Sequence, residues 1–184
     1  MASSEADQSN ADLMRDWILS FPSAPWAYGD IGHSEREGSS AIRAEEFQVA
    51  GTGSFAGLTN DALHFLSQTL TGNGHLVARL IAQQPTGPHA RAGLMLREDE
   101  AADAPTVFVS LLASGGVQFE GRLASGADLV KTNIVLDPTP RWLRLLRGED
   151  LFRGFVSSDG SNWLAVGEVK ASLTKTLRAG FGVV

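Results

Sequence analysis

From Trp26 to the end of the chain, apolar and polar residues alternate with a period of two in short runs, and Gly, Pro, Asn or Asp closes nearly every run. Alternation of this kind puts successive side chains on opposite faces of an extended strand. The runs are "EEFQVAG", "DALHFLSQTL", "HLVARLIAQ", "HARAGLML", "PTVFVSLLA", "GVQFEGRL", "LVKTNIVL", "RWLRLLRG", "LFRGFVSS", "NWLAVGEV" and "LRAGFGVV". Between them fall turn residues such as "SGG", "SGAD", "DPTP", "RGED" and "SSDGSN". About ten short strands with almost no helix predict an all-β sandwich or barrel. Consecutive strands on short turns must run antiparallel, because a parallel pair needs a long crossover. Gly72-Asn73-Gly74 predicts a hairpin joining "DALHFLSQTL" to "HLVARLIAQ", since Gly and Asn tolerate positive φ.

The same alternation sorts the faces. In "ARAGLMLR", Ala92, Leu94 and Leu96 point one way, and Arg91, Gly93, Met95 and Arg97 the other. In "GVQFEGR", Val117 and Phe119 oppose Gln118, Glu120 and Arg122. In "LHFLSQ", Leu63 and Phe65 oppose His64, Leu66 and Gln68; in "HLVARLIA", Leu76, Ala78 and Leu80 oppose His75, Val77, Arg79 and Ile81. Several strands thus carry one apolar face for a core and one mixed face, which is either solvated surface or a shallow concave platform. On this reading the arginines of "HARAGLMLRED" face away from the core, and no buried charge is needed.

The first residues break the pattern. Residues 1–10 are small and polar and read as a disordered tail. Ser9 or Asn10 then caps a short helix through "ADLMRDWIL", with Leu13, Trp17 and Met14 as its apolar stripe, and Pro22 and Pro25 end it. The expected division is a tail over 1–10, a helical extension over 11–25 and a sandwich over 26–184.

Composition narrows the function. The 184 residues, 43% hydrophobic and 20% charged, suit one soluble globular domain. A net charge of −6 argues against nucleic acid or an anionic membrane as the main partner. Cysteine is absent, which removes disulfides, thiolate catalysis and Cys-ligated zinc. No apolar run approaches the roughly 20 residues that span a bilayer. The N-terminus has no basic start before an apolar core, so the chain is expected inside the cell, or outside it if a signal has been removed.

Several segments carry a resemblance. "APWAYGDIG", "GSFAGLTNDALHF", "GNGHLVARL", "ARAGLMLRED", "GVQFEGR", "RWLRLLRGEDLFRGFVSSDGSNW" and "LRAGFGVV" follow one another from about Trp26 to the C-terminus. In this order they resemble a bacterial family of concanavalin A-like lectin/glucanase domains of the "regulation of enolase" type. The resemblance implies a jelly-roll sandwich of two antiparallel sheets, one of them concave, and a presumed sugar-binding role. It supplies no catalytic residues. Such domains continue past the strand here written "AGFGVV", so three expectations stand: a trimmed chain, an N-terminal segment filling the place, or a strand edge left for a partner.

Individual motifs are weighed on their chemistry. "SSDGSNW" reads as a β-turn in which Asp159 accepts backbone N–H groups, Gly160 takes positive φ and Trp163 packs beneath. The acids of "REDEAADAP" follow a strand and read as a solvated loop, with weak calcium binding the minor alternative. His33, His64, His75 and His89 lack metal-ligand spacing, no G-x-S-x-G elbow is present, and no cofactor is indicated. Trp142 and Trp163 start strands and read as core or rim.

The ligand-binding candidates are Arg91, Met95, Arg97, Gln118, Glu120 and Arg122 on the mixed face, with His64 and Trp26. Arg and Gln offer planar hydrogen-bonding groups suited to sugar hydroxyls or carboxylates. The same residues also read as a salt-bridged surface, Arg97 or Arg122 with Glu120. The leading expectation is a non-catalytic, lectin-like carbohydrate-binding module using the concave sheet face; the alternatives are a structural or self-assembling sandwich with a protein partner, and a glycoside hydrolase or lyase.

Overall fold

The computed structural model describes residues 26–34, 36–43, 46–53, 59–136 and 139–184. The expected tail and helical extension lie outside them. The described residues form thirteen strands and no helix. They are β1 (Ala27–Ile31), β2 (Ser39–Arg43), β3 (Glu46–Ala50), β4 (Leu63–Thr71), β5 (Gly74–Arg79), β6 (Arg91–Arg97), β7 (Thr106–Leu112), β8 (Val117–Arg122), β9 (Leu129–Ile134), β10 (Trp142–Gly148), β11 (Leu151–Ser157), β12 (Leu164–Lys170) and β13 (Thr176–Val183).

Two sheets make the sandwich. One has seven strands in the order β1-β4-β13-β6-β7-β8-β9, the other four in the order β12-β11-β10-β5, and β2 and β3 form a separate ribbon. Every pairing is antiparallel. The expected hairpin at Gly72-Asn73 is not one. Gly72 does take φ +79°, but β4 pairs with β1 and β13 while β5 pairs with β10. The turn carries the chain from one sheet to the other. Local turn chemistry reverses a chain; which strand each arm then pairs with is decided by the core.

That core lies between the sheets. Leu94, Leu96, Val107, Val109, Val117 and Phe119 meet Leu76, Leu143, Leu145, Phe152, Val156 and Val166. Full burial of each such side chain is worth about 1.5–3 kcal/mol. The fit is close at Gly154, where a Cβ would come within 2.5 Å of the Phe119 ring. A side chain there would push against an aromatic wedge that sits between the two sheets.

The sequence treats the other face of the large sheet as solvated or as an open platform. In the structure it is buried as well. Leu63, Phe65, Met95 and Phe108 form a second apolar cluster with Ile31 and Val184, and Ala102 of the β6–β7 loop packs against it. All six residues of β8 are buried. Arg97 and Arg122 are fully buried, which corrects the expectation that no charge lies inside.

Candidate functional site

The outer face of the seven-stranded sheet holds six of the sequence candidates. Register brings Met95 opposite Phe108, Phe108 opposite Glu120, and Thr106 opposite both Arg97 and Arg122. The side chains bond chiefly to one another. Arg91 donates to Gln118 Oε1 at 2.8 Å and to Glu120 Oε1 at 2.9 Å. Burial pushes the Glu120 carboxyl up and the Arg91 guanidinium down, and their mutual attraction offsets part of both shifts.

The remaining arginines converge on a residue that sequence reasoning missed. Asp61, just before β4, receives Arg122 Nη2 at 2.6 Å and Arg122 Nη1 at 2.8 Å, and Arg97 Nη1 bonds to the same carboxylate. All three side chains are 0% exposed. Arg97 also reaches the carbonyl of Asp99 at 2.9 Å, Arg122 those of Ala104 and Ala127 at 3.2 Å, and Asp61 N donates to Ala102 O at 2.8 Å. The cluster therefore ties the β6–β7 and β8–β9 connections to the edge of β4. Unused hydrogen-bonding capacity on this face sits on Ser110 Oγ and Glu120 Oε2, both buried and without a hydrogen-bond partner among the described residues.

His64 lies on the opposite side of β4, next to two partners distant in sequence. Its Nδ1 is 2.7 Å from Asp30 Oδ1 and its Nε2 is 2.9 Å from Ser40 Oγ. This is the connectivity of a nucleophilic triad. Ser40 however stands in a regular strand, opposite Val49, rather than on a strained elbow. Asp30 also accepts from Gly38 N at 2.9 Å, and a Cβ on Gly38 would fall 2.2 Å from the His64 ring. Burial raises the Asp30 carboxyl, but the Gly38 hydrogen bond and the His64 bond and charge outweigh it, so it lies below the usual range. The contacts pin the β2–β3 ribbon to β1 and β4. Trp26 completes the pin by packing on Phe47 and Phe181, with ring centroids at 4.9 and 5.6 Å.

The outer face of the four-stranded sheet differs in being partly open. Strand alternation brings Trp142, Arg144 and Leu146 of β10, Phe155 and Arg153 of β11, and Val77 and Arg79 of β5 to one side. Trp142, Arg144, Phe155 and Trp163 are half-buried. The Arg144 guanidinium lies 4.5 Å from the Phe155 centroid and 4.6 Å from that of Trp163. Arg79 lies 5.9 Å from the Trp142 centroid. Trp142 abuts the "SSDGSNW" turn at Gly160, where a Cβ would come 3.0 Å from its ring. Asp159 does accept Ser161 N and Asn162 N, each at 2.8 Å, and its carboxyl is held far below the usual range, first by Asn162. Gly160 takes φ +81° as expected.

No group of three or more metal-ligating side chains occurs among the described residues. Of the acids after β6, Glu98 caps Thr174 N at 2.6 Å and Asp103 binds Ser125 Oγ at 2.6 Å. No described helix is long and apolar enough to cross a membrane.

No protein-family model matches the chain, and no curated protein matches its sequence. Solved structures share the fold. A functionally unknown protein from Saccharomyces cerevisiae superimposes with a TM-score of 0.63 at 18% identity, over 86% of this chain and 85% of that one. The carbohydrate-binding module CBM66 from Bacillus subtilis superimposes with a TM-score of 0.53 at 15% identity, over 85% of this chain and 86% of that one. Both likenesses speak for the all-β architecture.

Proposed function

We propose that this protein is a non-catalytic carbohydrate-binding module on a concanavalin A-like jelly roll. The observation that carries the reading is the half-exposed row of Trp142, Phe155 and Trp163 interleaved with Arg79 and Arg144. Sugar rings stack their C–H faces on aromatic surface while planar polar groups fix the hydroxyls, the usual make-up of a small-ligand site. The likeness to a carbohydrate-binding module supports the same choice. Binding is placed on this face because Arg91, Met95, Arg97, Gln118, Glu120 and Arg122, on the large sheet, are buried and largely engaged with one another. Glu120, held by Arg91, is poorly suited to act as one of two hydrolytic carboxylates. A glycan array followed by calorimetry tests the reading: saturable binding to at least one polysaccharide class is expected, and folded protein that binds none refutes it.

A second reading rests on the edge of the large sheet. Among the described residues β9 pairs with β8 alone, and Val130 on it and Val135 just past it are 51% and 88% exposed. An edge of this kind can take a further strand from a partner or a second copy. Lys131 on the same strand opposes such pairing, which is why this reading stands second. Light scattering that gives a monomer mass at all concentrations removes the self-association form of it.

A further inference from the structure

We infer that the four-stranded sheet binds an acidic sugar, a uronate, whose carboxylate is held by Arg144 and Arg79. This rests on the carbohydrate reading above and adds the class of saccharide. Arg144 and Arg79 sit on adjacent strands; Arg144 faces Val77 and Arg79 faces Trp142, so the two are diagonal neighbours. Such a diagonal spans about 7 Å between side-chain bases, close enough for two long side chains to converge on one group. Each guanidinium lies against an aromatic ring. A stacked guanidinium keeps its N–H fork directed outward, in the geometry that matches a carboxylate.

The forks are free. Neither Arg144 nor Arg79 has a hydrogen bond or an ion pair with any described residue, and Arg144 Nε is a buried donor without an acceptor. The other charges on this face are already used or are positive. Arg153 is bonded to Glu168 at 2.7 Å, and Lys170 lies across from Leu151. Asp159, at the β11–β12 turn, is consumed by that turn. His75, on β5, is held below its usual range by burial and then by Arg144, so it adds no competing charge of either sign at neutral pH. A chain with net charge −6 thus presents, among the described residues, two cations without an ion-pair partner beside indole surface. A neutral sugar offers these guanidiniums only hydroxyl acceptors; a uronate adds the stronger charge-assisted hydrogen bonds of a carboxylate and stacks its ring on Trp163 or Trp142.

The test uses oligogalacturonate and alginate oligosaccharides, their methyl esters and a set of neutral oligosaccharides, read by calorimetry and tryptophan fluorescence on the full chain. A uronate is expected to bind, its methyl ester to bind about tenfold or more weakly, and Arg144→Gln to lose about as much, since charge-assisted hydrogen bonds set the difference. Arg79→Gln, on an exposed side chain, should lose affinity in the same direction and guards against a folding defect in the first variant. Equal affinity for acid and ester, or full affinity in both variants, overturns the inference. Binding of neutral sugars alone overturns it while leaving the module reading in place, and binding of nothing overturns both.

Discussion

Replacing Asp61 by Asn removes one carboxylate charge and keeps nearly all of the side-chain volume. In the structure that charge answers two fully buried guanidiniums, Arg97 and Arg122. Breaking a buried ion pair from one side costs about 3–5 kcal/mol, because the partner is left charged in a medium that solvates it poorly. Here two partners are stranded, so the upper part of that range applies. For a domain of this length each kcal/mol lowers Tm by about 2–4 °C, so a cost of about 4–5 kcal/mol gives a fall of about 8–20 °C. The internal control is Glu168→Gln, which removes the charge paired with Arg153 where the two side chains are 53% and 46% exposed. A surface pair of that kind is worth about 0–1 kcal/mol and should cost under about 4 °C. Differential scanning calorimetry at neutral pH measures both. If Asp61→Asn shifts Tm no more than Glu168→Gln, the buried cluster is not what holds the two loops to the sheet.

Three further outcomes follow from the geometry. Gly154→Ala, which drives a methyl into Phe119, should cost about 1–3 kcal/mol in urea denaturation, and Phe119→Leu in the same chain should recover part of it; strict additivity of the two changes would refute the contact. Asp159→Ala should lower Tm at neutral pH, and because the folded carboxyl is depressed the gap should narrow as pH falls below about 4, the unfolded value; a gap that stays constant down to about pH 2 would contradict it. Ser40→Ala should cost about 1–3 kcal/mol, the penalty for leaving the buried His64 ring nitrogen unpaired, and a fluorophosphonate probe should leave wild-type Ser40 unlabelled. Covalent labelling there would make the Asp30–His64–Ser40 contact a catalytic one and end the non-catalytic reading.

Period-two alternation by itself determined that the chain from Trp26 onward is built of antiparallel strands, and it assigned the faces of β6 and β8 as they are observed. That works because strand geometry forces alternate side chains apart, so the split of Leu94 and Leu96 from Met95 and Arg97 is local. The turn at Asp159 was legible for the same reason: its bonds join residues two and three positions apart. What lay beyond the sequence depends on contacts between distant residues. Nothing local says that β4 and β5 part company after Gly72, because β4 is claimed by β13, at the far end of the chain. Nothing local says that the mixed face is buried, because Asp61, just before β4, and Ala102, in the β6–β7 loop, meet over it from connections distant in sequence. The arginines of "HARAGLMLRED" illustrate both halves. Their side of the strand follows from periodicity alone, whereas their burial and their partners, Asp61 for Arg97 and Glu120 with Gln118 for Arg91, required the folded sheet. The same holds for the open aromatic row. Trp142 and Arg144 share a face by alternation, and only the pairing of β5 and β10 sets Arg79 beside them.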